Sequence, residues 1–380
     1  MTLRVLVGLP SLNEADTIAT VTRDIDLALS TLPFPVSALL VNADNSSTDG
    51  TSDVFLTTAT RHPKRVLTTA HASGKGTNWR ALFQLLHDDG FDIGVMVDTD
   101  LAGVPASWIS ALISATSDSD FVFPLRPPTW NGGDLTYQLA YPLLAGVFGA
   151  DLREPLCGDI AITRRGAKLV LEQNWTPSAL RFGVDALVAS VALTSSWNVV
   201  PIPERRGNKL RSFSGEYGMG PKFAEVATSL RERCLRRLAD PPPDRFEIGT
   251  AQTPPGNGQP VPHHDADIDR LAEATSLRLA SALTTGATDR LPDALVHQLR
   301  ERSASGTLPQ GLPWELWREI LPTWMRDDQP SAIATDLLET LFLSRVVGHH
   351  HEIKGRTAWY DTVQGQARDL FDHRESLWPS

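Results

Sequence analysis

Over its first hundred residues the chain alternates short, almost continuous apolar runs with segments of helical periodicity, and few folds accept that pattern. LRVLVGLP (3–10) reads as a buried strand. EADTIATVTRDIDLALSTL (14–32) reads as a helix with Ile18, Val21, Ile25 and Leu29 on one face. VSALLVNAD (36–44) and KRVLTT (64–69) predict further strands, separated by a helix over 48–62. A helix over 75–90 then leads into FDIGVMVDTD (91–100), a fourth strand. Apolar strands joined by helices imply a mainly parallel sheet covered on both faces. Sheets of this kind bind ligands beyond the carboxyl ends of their strands. Pro10–Glu14, Asp44–Asp49 and Asp98–Asp100 are therefore expected at one edge.

From residue 103 the pattern loosens. DFVFPLRPP (120–128) predicts a strand running into a loop, and 134–149 an apolar helix. A strand and helix are expected over 158–173, a helix over 184–196 and a strand over 197–204. The basic, glycine-rich stretch 205–220 reads as a loop and 223–239 as a helix. Residues 240–264 are rich in proline and glycine and suit a linker or surface excursion, after which the pattern is helical, including 265–284, 313–326, 330–347 and about 356–376. The expected organisation is an α/β unit over 1–225 followed by a mainly helical region over 226–380, with no internal repeat.

A formal charge of −10 argues against a general nucleic-acid surface, though not against an anionic ligand in a local basic pocket. No apolar run approaches the ~20 residues needed to cross a bilayer. The N-terminus reads as a strand rather than a secretory signal, so a cytoplasmic location is expected. Only Cys157 and Cys234 are present, which implies neither a disulfide framework nor a cysteine metal cage.

The chemistry concentrates at the strand ends. Asp98 and Asp100, two apart in VDTDL, would project to one face of an extended strand. Such a pair suits Mg²⁺ or Mn²⁺, which takes oxygen ligands and leaves the rest of its shell to substrate phosphates. Taken alone, such a pair is more often a solvated turn or a helix N-cap. Glu14 follows the first strand in GLPSLNEAD, where Asn13 or Asp16 could simply cap the next helix. In VNADNSSTDGT, Asp44 could accept from the N–H of a base, whereas STDGT could equally start a helix. Lys75, between two glycines in SGKGTNW, would bring charge to a diphosphate approached closely by the backbone. The spacings of a Walker loop and of the dinucleotide fingerprint are both absent, which counts against a hydride-transfer enzyme. Arg126, Asp159 and Asp185 complete the charged candidates.

LPSLNEADTI, NSSTDGT, GKG, VDTDL, GGDLTYQLAYPLL, PLCGDIAITR and FGVDALV occur in that order. Together they resemble the retaining A-type nucleotide-sugar glycosyltransferases that glycosylate glycerate, the glucosyl-3-phosphoglycerate and mannosylglycerate synthases. The resemblance covers roughly residues 5–225. It implies a Rossmann-like nucleotide-diphospho-sugar transferase sheet with a helical C-terminal region. It also implies a UDP- or GDP-hexose donor, a small hydroxyl acceptor such as glycerate, Mg²⁺ or Mn²⁺, and retention of anomeric configuration; a homodimer is admitted but not required.

Position by position, Pro10, Ser11, Leu12, Glu14, Asp44 and Asn45 would line the nucleoside pocket, and Lys75 would contact the donor. Asp98, Thr99 and Asp100 would hold the metal and diphosphate, and Gly133, Asp134, Leu135 and Thr136 the acceptor, with Arg126 nearby. Asp185 would lie near the acceptor hydroxyl and the sugar.

Two departures stand out. Phosphoglycerate-using members carry arginine where this chain has Asp134, so a phosphorylated acceptor is disfavoured. These families also supply a metal-binding histidine after the last strand, where this chain offers Arg206, Asn208 and Lys209. Asn208 could give a carbonyl oxygen, or one of the cations could replace part of the metal's charge. The run His349–His351 reads as a solvated or interface surface, and Trp79 and Trp197 as core, whereas Trp130 sits in the acceptor loop. The competing readings are a sugar-1-phosphate nucleotidyltransferase, whose glycine- and arginine-rich first loop is missing here, and a non-catalytic sugar-nucleotide-binding homologue.

Overall fold

The computed structural model describes residues 2–69, 74–101, 103–125, 134–202, 219–248, 265–327, 332–354 and 359–378. Seven strands form one sheet: β1 (Leu3–Ser11), β2 (Val36–Asp44), β3 (Lys64–Thr68), β4 (Ile93–Met96), β5 (Phe121–Leu125), β6 (Ile160–Thr163) and β7 (Trp197–Pro201). Their spatial order is β3-β2-β1-β4-β6-β5-β7. All neighbours are parallel except β6, which runs antiparallel between β4 and β5. The expected α/β, Rossmann-like sheet followed by a helical C-terminal region is what the chain forms.

Alternation along β1 separates the two layers. Val5, Val7 and Leu9 pack under α1 (Ile18–Ser30), α2 (Thr51–Thr57) and α4 (Ala106–Ala115), while Leu6 faces α3 (Lys75–Asp88). Helix α4 was not expected. Its apolar Trp108, Ile109, Leu112 and Ile113 share one face, but it starts at Pro105 without a side-chain cap, and serines break up its sequence. Helix α2 is shorter than expected at both ends: Asp49 bonds the Thr51 N–H (3.0 Å) at its start, and Thr58 turns to extended backbone after Thr57. β3 lies at an edge and carries Lys64 and Arg65, charges that discourage pairing with another chain.

The second layer merges with the rest of the protein. α5 (Tyr141–Phe148), α6 (Arg164–Leu171), α7 (Val184–Ala192) and α8 (Pro221–Arg237) share one apolar cluster with the later helices. These are α9 (Asp265–Thr285), α10 (Asp293–Ala304), α11 (Trp314–Arg326), α12 (Ala332–Ile353) and α13 (Trp359–Asp372). The described start of the proline-rich stretch is docked: Glu247 O accepts from Asp151 N (2.8 Å) and its N–H bonds Gly149 O (2.6 Å). Among the described residues no helix is long and apolar enough to cross a membrane.

Helix α12 carries a charge in the interior. Arg345 is fully buried and grips Glu352 at 2.6 and 2.5 Å through Nη1 and Nη2, while Nη1 also bonds Leu312 O (2.7 Å) and Nε bonds Gln138 Oε1 (2.8 Å). Burial pushes the Glu352 pKa up, but Arg345 and then His349 outweigh it and hold the carboxyl at about 2, below its ordinary 4.5. A depressed folded-state pKa gives stability that is complete above pH ~4.5 and lost as pH falls toward 2, on the order of 3 kcal/mol. The thermal midpoint should fall across that window. Glu352→Gln should be less stable by about 3–5 kcal/mol at neutral pH, because the Arg345 charge is left buried and unpaired, and the gap should narrow as pH falls toward 2. It should also lose that part of the acid dependence. Melting curves between pH 6 and pH 2 measure both.

Candidate active site

The ends of β1, β2 and β4 meet, as their parallel alignment requires. Ser11 pairs with Asp44 in register, and Thr99 Oγ1 donates to Pro10 O (2.8 Å). Asn13 adopts φ +56° and Ser46 φ +60°, unusual for residues with a side chain. Cross-loop bonds hold them there. Asn13 Oδ1 accepts from Thr48 N (2.9 Å), and the Asn13 N–H donates to Ser47 Oγ (2.9 Å). Asn13 thus clasps the neighbouring loop rather than capping α1. The Glu14 N–H bonds Thr51 Oγ1 (2.8 Å), and Glu14 Oε2 accepts from Thr17 (3.2 Å).

Asp44 is buried and accepts from Ser47 N–H (3.1 Å), the Ser47 hydroxyl and Ser52 Oγ (2.8 Å). Its carboxylate shapes the loop in which it sits. Asn45 receives Thr69 Oγ1 (3.0 Å), and the same hydroxyl reaches Asn78 Oδ1 (2.7 Å). Pro10, Ser11 and Asn45 are buried, but Leu12 is 44% exposed, an apolar side chain presented at the rim.

Lys75 opens α3 and lies between two carboxylates contributed by distant parts of the chain. Its Nζ is 3.3 Å from Asp98 Oδ1, 3.2 Å from Asp185 Oδ1 and 3.4 Å from Asp185 Oδ2. Burial pushes the ammonium pKa down, but Asp185 and then Asp98 outweigh it and hold it above its ordinary value. Asp185, on the first turn of α7, moves up because burial and Asp98 together exceed the pull of Lys75. The Lys75 ammonium also lies 5.2 Å from the Trp79 ring centre, and Trp79 is core as expected.

The flanking glycines have a structural use that the sequence did not disclose. A Cβ on Gly76 would collide with the backbone of Ala179 and Leu180, and the Gly76 N–H already bonds Arg181 O (3.0 Å). The close approach is therefore made by residues 179–181. That segment is clamped in turn by α8, through Glu225 to Phe182 N (3.2 Å) and Ser229 Oγ to Gly183 O (2.7 Å). It delivers Asp185 to Lys75.

Asp98 is fixed from behind. Its N–H donates to Asp159 Oδ1 (2.8 Å), and Asp159 is fully buried. Its carboxylate lies against Gly158, where any Cβ would overlap it. The strand expected over 91–100 stops at Met96, so Asp98 and Asp100 lie on the turn beyond β4; Thr99 there is buried and Asp100 half-buried. Sequence reasoning noted Asp159 but missed Gly158 and the serine and threonine partners of the loops, since hydroxyls in a turn carry no distinctive pattern.

The loop over 151–159 ties this edge to the segment expected to meet the acceptor. Tyr137 donates to Glu154 Oε1 (2.6 Å). Asp134 is half-buried, while Leu135 and Thr136 are buried at the start of a π-helical stretch, Thr136–Ala140, that runs into α5. The expectation for the histidine run is corrected. His349 and His350 are buried and only His351 is exposed, because α12 is packed by α9, α11 and the π-helical stretch. Arg126, Trp130, Gly133, Arg206, Asn208 and Lys209 lie outside the described residues.

The donor set is compatible with a divalent cation. Asp100 offers hard oxygen atoms at the rim, and among the described residues no three acidic, histidine or cysteine side chains form a complete cage.

No protein-family model and no curated protein matches the chain. Solved structures of glucosyl-3-phosphoglycerate synthase from Mycobacterium tuberculosis are similar to it. The complex with Mn²⁺, UDP and phosphoglyceric acid is 21% identical, with 61% of this chain and 78% of that chain covered and a TM-score of 0.47. The complex with Mn²⁺, UDP-glucose and phosphoglyceric acid gives 21%, 67%, 90% and 0.47.

Proposed function

We propose that the protein is a metal-dependent glycosyltransferase that moves a hexose from UDP- or GDP-hexose to a hydroxyl of a small acceptor. The observation that carries this reading is a half-buried lysine held between Asp98 and Asp185, with Asp100 two residues on in the chain, at the carboxyl edge of a parallel sheet. That is where such sheets bind nucleotides, and a cation fixed there favours a leaving diphosphate.

In this reading the loops after β1 and β2 take the nucleoside, with Leu12 against its apolar face. Asp100, supported by Asp98 and with Asn208 as a further oxygen donor, would hold Mg²⁺ or Mn²⁺. When bound, the ion supplies charge to the departing β-phosphate. Lys75 adds a second positive charge in a water-poor position. Asp185 orients a sugar or acceptor hydroxyl. The anomeric carbon–phosphate oxygen bond breaks, the acceptor oxygen bonds the same face of that carbon, and the acceptor proton passes to the departing phosphate. This retaining course accords with the sequence resemblance and uses no protein nucleophile. The α/β unit to about residue 225 carries the donor chemistry, and the helices after it brace the acceptor side.

A thermal-shift panel of UDP- and GDP-hexoses with Mg²⁺ or Mn²⁺, followed by acceptor screening on the best donor, tests the reading. Metal-dependent stabilisation by at least one sugar nucleotide, then transfer, is the expected result. Binding without transfer or hydrolysis would favour a non-catalytic homologue. Turnover of a nucleoside triphosphate with a sugar-1-phosphate would favour the nucleotidyltransferase.

A further inference from the structure

One strand of the sheet is reversed, and the reversal decides what stands behind the Asp98–Asp100 turn. β4 ends at Met96, which pairs with Ile160 at the start of β6. Because that pairing is antiparallel, β6 begins at the carboxyl edge, where a parallel strand would end. One step past the last pair, Asp159 falls opposite Val97 and next to Asp98. The loop that delivers it is firmly held. Residues 151–159 are buried except for Leu156, which is half-buried. Tyr141 donates to Asp151, Tyr137 to Glu154 Oε1 (2.6 Å), and the Cys157 N–H to Glu154 O (3.1 Å). Gly158 and Asp159 thus sit on backbone fixed from both sides.

Two anchors of the Asp98–Asp100 turn come from β1: Val97 N donates to Gly8 O (3.0 Å) and Thr99 Oγ1 to Pro10 O (2.8 Å). A turn hung from these two points alone is free to rotate about them. The bond from Asp98 N–H to Asp159 Oδ1 (2.8 Å) adds a third point, 61 residues on in the chain, and removes that freedom. Gly158 sets the side chain as well as the backbone, because the Asp98 carboxylate lies where a Cβ on Gly158 would overlap it. We propose that Asp159, with Gly158, is the positioning residue for the divalent cation. It fixes the direction in which Asp98 and Asp100 present their carboxylates, and so sets the affinity of the turn for Mg²⁺ or Mn²⁺. The proposal rests on the metal-dependent glycosyltransferase reading and adds to it residues that no strand-end motif contains. Groups that orient metal ligands from outside are worth about 10–100-fold in metal affinity. Asp159 acts through the Asp98 N–H and takes no part in the bond changes.

The test reads metal binding directly, from the electron paramagnetic resonance of free Mn²⁺ in titrations of the full chain with UDP or GDP present. In Asp159→Ala the dissociation constant for Mn²⁺ should rise about tenfold or more. Gly158→Ala should raise it on the same scale: Gly158 has no left-handed φ to strain, and the new Cβ displaces the Asp98 carboxylate. This second variant keeps the test decisive if the first misfolds. Asp159→Asn, which keeps an acceptor oxygen for the Asp98 N–H, should stay within about threefold of wild type. Binding of UMP or GMP with EDTA present should stay within about twofold in all three variants, which a general loosening of the site would not allow. Unchanged Mn²⁺ affinity in Asp159→Ala, or in Gly158→Ala where the former does not fold, would overturn the assignment and leave the glycosyltransferase reading in place. So would a loss shared equally by nucleotide binding without metal. Failure of the wild-type protein to bind Mn²⁺ with either nucleotide would overturn the metal-dependent reading together with it.

Discussion

Asp100→Ala is expected to lower hexose transfer by about a thousandfold, the scale of removing one fixed source of charge stabilisation from a transition state. Stability should hardly change. Asp100 is half-buried at the end of β4, beyond the last paired residue, whereas the strand itself is held by Asp159 and by its pairing with β1 and β6. The expected signature is therefore a split. The thermal midpoint without ligand stays near wild type, while the extra stabilisation given by Mg²⁺ or Mn²⁺ with a sugar nucleotide disappears. Transfer rates at saturating donor and melting curves with and without metal measure the two halves. Near-normal transfer by the variant would remove Asp100 from the site, and the metal with it.

The donor edge was largely legible in the sequence because buried parallel strands write themselves as unbroken apolar runs. β1, β2, β3 and α3 lie within a residue or two of their expected limits. The chain beyond residue 103 was harder to read. IAIT is apolar in either direction, so nothing in β6 announces that it runs antiparallel between β4 and β5. Glycines around Lys75 signal that something approaches closely, but not that the visitor is the backbone of 179–181. Three histidines in a row look like a surface until α12 is seen packed on several sides. Each missing fact is a long-range contact, and local pattern encodes only the half of a contact that lies nearby. The same limit applies to the pairing on which the site depends: Lys75 and Asp185 are 110 residues apart in the chain.

That pairing makes Lys75→Met the more revealing stability experiment. The substitution keeps the length and apolar stem of the side chain but leaves Asp98 and Asp185 facing each other without the ammonium between them. Removing one partner from a buried ion pair costs about 3–5 kcal/mol, because the remaining charge stays desolvated. The protein can relieve part of this by protonating Asp185, the more deeply buried of the two carboxylates. Its pKa is already raised by burial and by Asp98, and losing Lys75 removes the main opposing influence. A carboxyl whose folded-state pKa lies above its unfolded value favours the folded state most at low pH, and that contribution is lost as pH rises through the folded pKa. Lys75→Met should therefore be closer to wild type in stability at pH 5 than at pH 8. Lys75→Arg, which keeps the charge, should not show this widening gap. Denaturant titrations of the three proteins at both pH values measure it, with hexose transfer expected to fall steeply in the methionine variant at either pH. A methionine variant as stable as wild type at pH 8 would mean that water or a counter-ion neutralises the two aspartates, and that the lysine does not organise this edge of the sheet.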